Sequence, residues 1–522
     1  MRRHPLKLLR VVLAVTVFAA LGAALADFRD LVPASVGHRL ASVQLVPALL
    51  GLATGAGGWL AVALLFGMSL AVGRVYCSAV CPLGILQDAV ARLASLVPLR
   101  KRRPVPYARP LTWLRWAFLG VALAGIAAGW AGATLAVLDP YSNFGRIAAD
   151  LFRPLATLAN NSVVGIANAA GIRSLYRVEP AWAAAGALAF PVLMLALVSV
   201  LAAWRGRLYC NTVCPVGTAL GVLGRFAAFR LAIERDACHK CAACLGACKA
   251  QCIDLRAGTI DASRCVGCFN CLGACDRHGI AYRFTWRRKP APKPATEAAT
   301  PDPARRAFLV GAAAAVGAAA TSGLGARTSD GAGVAQPGGP ISPPGAGDIE
   351  RFLSRCTACH LCVSACPTHV LQPTVLDYGL AGLFVPHLDY TKAFCNYECN
   401  ECGRVCPTGA ISALALAEKQ VAQIGIAGFH KDLCIVFAKG KDCAACAEHC
   451  PTKALRTVPY GDNLHLPEVT GELCIGCGAC EFACPVQPQK AITVRSLRRH
   501  GHARKPVVEK AAAPVTSGDF PF

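Results

Sequence analysis

The sequence predicts a membrane α-helical bundle of four spans, followed by small α+β domains that are rich in cysteine. Two observations support this fold class. The chain of 522 residues is 55% hydrophobic and only 16% charged, and its apolar residues are concentrated before residue 205. Most of the 29 cysteines lie after residue 236, in repeated short spacings. The two halves of the chain therefore call for different environments, a bilayer for the first and a water-exposed cofactor scaffold for the second.

Four apolar stretches are each long enough to cross a hydrocarbon core of about 30 Å. They are Leu8–Ala26, Leu45–Val72, Trp116–Leu138 and Trp182–Ala203. The first could instead be a cleaved signal peptide, since a basic start precedes it and Ala24–Ala26 resembles a cleavage site; either alternative leaves residue 27 outside. Pro154–Ile172 is apolar but interrupted by three asparagines, and we interpret it as an interfacial or re-entrant segment.

The distribution of Lys and Arg predicts the orientation. Arg2 and Arg3 precede the first span, residues 100–103 separate the second span from the third, and Arg205 and Arg207 follow the fourth. Positive loops stay in the cytoplasm. The N-terminus and residues 205–305 are therefore predicted to be cytoplasmic. The net charge of +23 reflects this asymmetry, and because no basic stretch carries a recognition motif, we expect no nucleic-acid partner.

Six groups of four cysteines follow the membrane half, and we number them in chain order. They are Cys238, Cys241, Cys244 and Cys248; Cys265, Cys268, Cys271 and Cys275; Cys356, Cys359, Cys362 and Cys366; Cys395, Cys399, Cys402 and Cys406; Cys434, Cys443, Cys446 and Cys450; and Cys474, Cys477, Cys480 and Cys484. Groups one, two, three and six read C-x2-C-x2-C-x3-C, the thiolate run of bacterial ferredoxins. This spacing predicts α+β ferredoxin-like domains that hold about six [4Fe–4S] clusters.

In such a run, three thiolates bind one cluster, and we expect the fourth to come from a helix start and often to serve the neighbouring cluster. A structural zinc site would need two separated C-x2-C pairs. A disulfide framework would not repeat one spacing four times. Group one ends ACKAQC without a proline, so Cys252 remains an alternative ligand to Cys248. Cys356–His360 matches a haem-attachment motif, but these cysteines open a full ferredoxin run, and we expect His360 to be a loop residue.

The membrane half contains a repeat: GRVYCSAVCPLG at Gly73–Gly84 matches GRLYCNTVCPVG at Gly206–Gly217. The two copies contribute Cys77, Cys81, Cys210 and Cys214. Each C-x3-C-P motif follows an even-numbered span, so the four thiols are predicted to converge at the cytoplasmic membrane face. They could bind a metal, cycle as a disulfide, lie near a quinone or simply pack, and the spacing leaves these roles open.

The predicted domain order is a transmembrane domain at 1–235, a cytoplasmic two-cluster domain at 236–283, a linker at 284–348, a periplasmic four-cluster domain at 349–497 and a basic, flexible tail at 498–522. Within the linker, Arg305 and Arg306 begin an Ala/Gly-rich segment, 304–326. The paired arginines resemble a twin-arginine export signal; an ordinary fifth span is the alternative. Either one sends the following domain outward.

Residues 1–283 resemble the NapH family of membrane ferredoxins, by virtue of the four spans, the two C-x3-C-P motifs and the two-cluster domain that follows. NosR-type and CcoG-type proteins share these features. Residues 300–495 resemble NapG/MauM ferredoxins; CNYECNECGRVCPTGAI at Cys395–Ile411 and CIGCGACEFACP at Cys474–Pro485 carry that match.

The chain thus resembles the two partners fused. The resemblance implies a bacterial inner-membrane protein that oxidises quinol and delivers electrons to a periplasmic reductase or cytochrome. CcoG-type proteins suggest a thiol or metal-ion reductase, or a cofactor-maturation factor, as the alternative. The sequence contains no haem, flavin or molybdenum motif beyond the match at Cys356, so the oxidoreductase itself is expected on another chain.

Overall fold

The computed structural model describes residues 4–29, 31–52, 58–96, 107–286, 335–336, 339–461 and 463–505. The chain divides into two units. Unit 1 comprises residues 1–330, 346–387 and 401–413, and unit 2 comprises residues 331–345, 388–400 and 414–522. The predicted domain at 349–497 is thus shared between the units, and the functional boundaries remain predictions. The twin-arginine-like segment 304–326 lies outside the described residues.

Helices dominate the first 224 residues. They are α1 Pro5–Ala26, α2 Ala34–Ser42, α3 Leu45–Gly51, α4 Gly58–Val72, α5 Tyr76–Ala79, α6 Pro82–Leu96, α7 Thr112–Ala127, α8 Ala131–Leu138, α9 Pro140–Arg146, a π-helix Ile147–Phe152, α10 Arg153–Ala169, α11 Ala185–Arg205, α12 Leu208–Thr212 and α13 Pro215–Gly224.

Two of the described helices, α1 and α11, are long and apolar enough to cross a bilayer. Both carry large apolar side chains that face away from the protein: Leu9 of α1 and Leu193 of α11 are each 67% exposed. Two of the four predicted spans therefore have the expected form.

The other two predicted spans each contain two described helices. The stretch Leu45–Val72 contains α3 and α4, and residues 53–57 lie outside the described residues; Trp116–Leu138 is broken between α7 and α8. This break has a clear cause. Gly129 has a φ of +81°, which ends α7, and a Cβ added at Gly125 would clash with Thr134 of α8. Glycine at both positions lets the chain reverse and the two helices pack closely. The predicted bundle of four spans therefore stays a prediction.

The segment interpreted as interfacial or re-entrant, Pro154–Ile172, lies mostly in α10. Two of its asparagines are tied to the chain that follows: the Asn161 side chain donates a hydrogen bond to the Val178 carbonyl at 2.7 Å and accepts one from the Val178 amide at 3.0 Å, and the Asn160 side chain donates to the Tyr176 carbonyl at 3.4 Å. The polar groups of this helix thus fasten the connection to α11.

The cysteine-rich half has short helices and strands. They are β1 Phe229–Ile233, α14 Ala243–Ala247, β2 Ile253–Asp254, β3 Thr259–Ile260, α15 Asn270–Ala274, β4 Ile280–Phe284, β5 Ala335–Gln336, α16 Ile349–Arg355, α17 Leu361–Ser364, β6 Leu371–Pro373, a 3₁₀ turn Leu380–Gly382, β7 Pro386–Leu388, α18 Glu401–Val405, α19 Leu416–Lys419, β8 Ala422–Phe429, a 3₁₀ turn Lys431–Leu433, α20 Ile435–Lys439, α21 Ala445–Glu448, β9 Leu455–Pro459, β10 His465–Val469, α22 Ala479–Ala483 and β11 Ile492–His502.

The strands form small sheets: β1 pairs with β4, β2 with β3, β6 with β7 and β9 with β10, and β11 lies between β5 and β8. This is the predicted α+β arrangement. One detail differs from the prediction. Residues 498–502 were assigned to a flexible tail, yet they belong to β11, where Gly501 and His502 pair with Gln423 and Ala422 of β8. Strand pairing therefore orders a basic segment that its composition alone predicts to be flexible.

Candidate metal centres

The four regular cysteine groups share one backbone conformation. In groups one, two, three and six, the residue before the second cysteine and the residue after it both have positive φ. These residues are Lys240 and Ala242, Gly267 and Phe269, Ala358 and His360, and Gly476 and Gly478. Successive turns of this kind point backbone N–H groups into a concavity that suits an anionic cluster. A positive φ is strained for a bulky residue such as Phe269, and strain of this kind is typical of functional loops.

The third cysteine of each regular group lies in the short helix that follows the loop, within α14, α15, α17 or α22. The fourth cysteine lies just after that helix, not at a helix start, so the prediction on this point was wrong.

The chain after the fourth cysteine also repeats one backbone conformation. The third residue after the fourth cysteine has positive φ in groups one to five, and in group six the cis peptide Gln487–Pro488 begins at this position. The residues with positive φ are Gln251, His278, His369, Gly409 and Lys453.

Groups one and two exchange their fourth cysteines. Cys244 lies within electrostatic range of Cys238, Cys241 and Cys275. Cys271 lies within range of Cys265, Cys268 and Cys248 in the same way. Two thiol sets result, which we call site one (Cys238, Cys241, Cys244, Cys275) and site two (Cys265, Cys268, Cys271, Cys248). This is the exchange that the spacing predicts for a pair of clusters.

The same exchange recurs in the later groups. In unit 1, Cys362 lies near Cys356, Cys359 and Cys406, and these four thiols define site three. In unit 2, groups five and six exchange their last cysteines. Cys446 lies near Cys434, Cys443 and Cys484, and Cys480 lies near Cys474, Cys477 and Cys450. Group four is divided: Cys395 and Cys399 belong to unit 2, whereas Cys402 and Cys406 belong to unit 1.

The extra cysteine of group one lies at site two. The Cys248 and Cys252 sulfurs are 3.7 Å apart, and Cys252 is also hydrogen-bonded to Cys265. The hydrogen bond from Cys252 lowers the pKa of the Cys248 thiol to about 6, which favours the thiolate that binds metal. Both candidate ligands, Cys248 and Cys252, therefore lie within reach of the same site.

Most of the other thiols are harder to ionise without a metal. Burial raises the pKa of Cys268 to about 11 and that of Cys359 to about 12. Iron binding must therefore displace protons from these thiols. Backbone amides support the bound form: Gly279 N–H donates to Cys275 Sγ at 3.1 Å, and Ile411 N–H donates to Cys406 Sγ at 3.4 Å. Such bonds stabilise anionic sulfur and help to set cluster potentials.

The spacing between side chains distinguishes a cluster from a single ion. In the described ranges, no group of three or more His, Cys, Asp or Glu side chains is drawn close enough to hold one metal ion. Zinc needs its ligands about 2.0–2.3 Å from one centre. In a cubane each thiolate binds a different iron, so the sulfurs lie farther apart. The choice of a cluster over zinc rests on the repeated ferredoxin spacing of the cysteines.

The repeated membrane motifs bring their thiols together as predicted. Cys77, Cys81 and Cys214 all lie within electrostatic range of Cys210, and all four thiols are free and buried. We call these residues the four-thiol site. The repeat is reciprocal: Arg207 donates to the Cys77 carbonyl at 2.6 Å, and Arg74 donates to the Cys210 carbonyl at 3.3 Å.

The Asp88 carboxylate forms ion pairs with three cations from different segments of unit 1. Its carboxylate accepts from Arg207 Nε at 2.8 Å, lies 3.2 Å from Lys249 Nζ and is also bonded to Arg10 of α1. Lys249 follows Cys248 directly in the chain. One buried carboxylate thus joins α1, both repeats and site two.

Site three packs against other parts of unit 1. His360 is buried and begins α17. Its Nδ1 lies 2.9 Å from Asp150 of the π-helix, and its Nε2 lies 2.9 Å from the Phe384 carbonyl. Both ring nitrogens thus contact protein oxygens. His360 is the loop residue that was predicted, and it also anchors the loop.

Sequence reasoning missed Asp88, Asp150 and Gln87, whose Nε2 donates to Cys210 Sγ at 3.1 Å. No repeated spacing marks these three. Arg74 and Arg207 did carry a signal, because each occupies the same place in its copy of the repeat.

Family comparisons agree with this geometry. A family model described as a 4Fe-4S binding domain matches residues 54–106 and 187–234. Models of a 4Fe-4S dicluster domain match residues 261–370 and 355–411, and another 4Fe-4S binding domain matches residues 467–489. The fold and sites thus define a polyferredoxin, an iron–sulfur electron-transfer protein with multiple [4Fe–4S] clusters.

Characterised relatives specify the family further. The ferredoxin-type protein NapF of Escherichia coli K12 is 31% identical over 160 residues, which is 31% of this chain and 87% of NapF. MauM of Paracoccus denitrificans, a methylamine utilization ferredoxin-type protein, is 34% identical over 181 residues, 33% of this chain and 79% of MauM. NapG of E. coli K12 is 32% identical over 169 residues, 30% of this chain and 71% of NapG. No solved structure matches.

The chain therefore belongs to the ferredoxin-type iron–sulfur proteins represented by NapF, NapG and MauM. The predicted resemblance to NapG and MauM is confirmed; the resemblance of residues 1–283 to NapH stays a prediction.

Proposed function

We propose that this chain is a quinol-oxidising polyferredoxin of the bacterial inner membrane, in effect a NapH-type and a NapG/MauM-type protein joined in one polypeptide. It carries electrons from the quinol pool to a periplasmic reductase or cytochrome. The six cysteine groups ligate about six [4Fe–4S] clusters, with fourth ligands exchanged as the thiol positions indicate. Oxidation of one quinol to quinone releases two electrons and two protons, and the electrons pass singly because each cluster takes up one.

The observation that carries this proposal is the placement of cysteine sites at opposite ends of α1. At its N-terminal end, Arg10 bonds Asp88, whose partner Lys249 adjoins site two. At its C-terminal end, the Leu25 carbonyl accepts from Ser364 of α17, the helix that carries Cys362 of site three. From Arg10 to Leu25 the helix rises by about 22 Å, at 1.5 Å per residue. Most of a bilayer core thus separates the two sites.

The exposed apolar surfaces of α1 and α11 support membrane anchoring. In this proposal sites one and two lie in the cytoplasm, as the positive-inside pattern favours, and residues 350–495 lie in the periplasm, as the twin-arginine-like segment favours. The CcoG-type alternative, a thiol or metal-ion reductase, needs thiols that a substrate ion can reach. The burial of all four thiols in the repeats weighs against it.

Reconstitution tests the electron-transfer function. The purified full-length chain in lipid nanodiscs is mixed anaerobically with menadiol, and bleaching of the cluster absorbance is recorded. We expect menadiol to reduce the clusters, with one electron gained per cluster and one quinone formed for every two electrons. Clusters that respond to dithionite but never to menadiol would contradict quinol as the donor.

Reporter fusions test the topology. A periplasm-active phosphatase fused after residue 500 should be active, and the same reporter fused after residue 283 should be inactive. Lysine replacement of Arg305 and Arg306 should block export of the last domain if the twin-arginine route is used. Activity of the residue 283 fusion alone would reverse the proposed orientation.

A further inference from the structure

We propose that the four-thiol site binds a seventh iron–sulfur cluster, which the two membrane repeats complete together and neither can hold alone. A cluster of the ferredoxin type takes four cysteine thiolates. The family model for a 4Fe-4S binding domain matches each repeat, at residues 54–106 and 187–234. Each matched stretch contains only two cysteines, so a complete ligand set exists only where the two copies meet.

The geometry meets this requirement. Cys77, Cys81 and Cys210 are each 4% exposed, and Cys214 is 3% exposed. Cys210 lies within electrostatic range of the other three. Buried thiols from both copies thus lie together, where a single group can bridge the copies.

The surrounding charge indicates an anion. Arg74 is fully buried. Its partners in the described part of the chain are the Asn211 side chain, the Ser263 and Cys210 carbonyls and the Cys77 sulfur, none of which is a carboxylate. A buried guanidinium without a counter-charge is costly. An oxidised cluster with four thiolates has a net charge of about −2, whether it contains two irons or four. Such a cluster supplies the missing counter-charge; a disulfide does not.

Both arginines also point a guanidinium nitrogen at a cysteine sulfur. Arg207 points its Nη1 at Cys210 Sγ, and Arg74 points its Nη2 at Cys77 Sγ, each at 3.9 Å. Gln87 adds a donor to Cys210. The Gly217 amide donates to Cys214 Sγ at 3.3 Å. The sulfurs are thus surrounded by donors, as ligating thiolates of a cluster are.

The four-thiol site lies between sites two and three. On one side, Arg74 is within electrostatic range of Cys265 of site two, and Val75 packs against Gly267 in the same loop. On the other side, Tyr76 is within range of Cys77 and Cys81, and Tyr209 is within range of Cys210 and Cys214. Both tyrosines are also within range of Asp139. Asp139 is in turn within range of Cys359 of site three.

The role of this cluster as a relay rests on the proposed electron-transfer function, whereas its binding does not. In the relay, the cluster gains one electron from a reduced neighbour and passes that electron to the next, with no bond formed or broken. Tunnelling falls steeply with distance, so a centre between sites two and three divides one long electron transfer into two shorter steps.

Iron content and spin counting test the proposal in the full-length chain, purified anaerobically in detergent. Seven cubanes correspond to about 28 irons per chain, and six cubanes with one binuclear cluster to about 26. The variant with Cys77→Ser, Cys81→Ser, Cys210→Ser and Cys214→Ser should lose about four irons, or about two, together with one spin in the dithionite-reduced spectrum. The other clusters should remain.

Two matched variants make the result decisive. Ser78→Ala lies in the same short helix as Cys77 and removes no ligand, so its iron content should equal that of the wild type. Cys244→Ser removes a ligand of site one and should cost about four irons. Full iron and an unchanged spin count in the quadruple variant would overturn the proposal.

A wild-type spin count of only six clusters would overturn it as well, and this measurement does not depend on the folding of any variant. Failure of menadiol to reduce the clusters, with seven present, would refute the relay role and leave the seventh site intact.

Discussion

Replacement of Asp88 by asparagine should destabilise unit 1 more than removal of any exposed ion pair. The Asp88 side chain is 11% exposed, and its partners Arg207, Arg10 and Lys249 are 0%, 7% and 26% exposed. One carboxylate therefore compensates three cations in a largely buried place. The asparagine amide would keep one acceptor but leave the cations without a counter-charge, and loss of one partner from a buried pair typically costs about 3–5 kcal/mol.

The assay is the rate of irreversible cluster loss at fixed temperature, since multidomain iron–sulfur proteins seldom unfold reversibly. If the whole effect appears in the unfolding rate, about 3–5 kcal/mol accelerates bleaching by roughly 150- to 5000-fold. Glu472→Gln serves as the control. It breaks an ion pair with Arg504 in which both side chains are more than half exposed, a change worth about 0–1 kcal/mol. Equal half-times for the two variants would refute the role given to Asp88.

Three further outcomes are expected. If Cys241 and Cys275 bind the same cluster, the double variant with both replaced by serine should lose about four irons, no more than either single variant. If Cys241 and Cys248 bind different clusters, the double variant Cys241→Ser with Cys248→Ser should lose about eight irons. Iron analysis of the purified variants distinguishes the two arrangements. Anaerobic wild-type protein should contain iron for the six cysteine groups, at least about 24 atoms per chain, and about eight irons with several zinc ions would contradict the six-cluster assignment. His360→Ala should leave the Asp150 carboxylate buried without its partner and lower stability by about 1–3 kcal/mol with iron retained; an unchanged thermal midpoint would show that this contact contributes nothing.

The cysteine sites were largely predictable from the sequence, because cluster ligation is encoded locally. In the regular groups, three ligands and the loop that holds them fall within seven residues, so one spacing determines both chemistry and backbone. The exchange of Cys248 and Cys275 was also foreseeable as a general rule. The closeness of the Cys252 sulfur to the Cys248 sulfur could not be predicted, because it depends on the turn around Gln251 and not on the cysteine spacing.

The membrane half was less predictable. Composition identified α1 and α11, whose length and apolar surface are properties of single helices. It did not reveal the reversal at Gly129, because the residues on both sides remain apolar and only backbone conformation changes there. Asp88 and Asp150 were invisible for another reason. Each is a lone carboxylate in its own segment, and its partners, such as Lys249 and His360, are supplied by distant parts of the chain.

The reciprocal bonds of Arg74 and Arg207 limit how the two repeats can change independently. Each arginine reaches across to the backbone of the other copy, as equivalent residues do in an isologous two-fold dimer. A protein with one copy would have nothing to bond with that arginine unless a second molecule supplied it. Within this one polypeptide, the two copies therefore contact each other as the subunits of such a dimer do. Its halves are free to diverge at their surfaces, as the sequences after the two motifs have done, but not at the paired contacts, where a change in one half demands a matching change in the other.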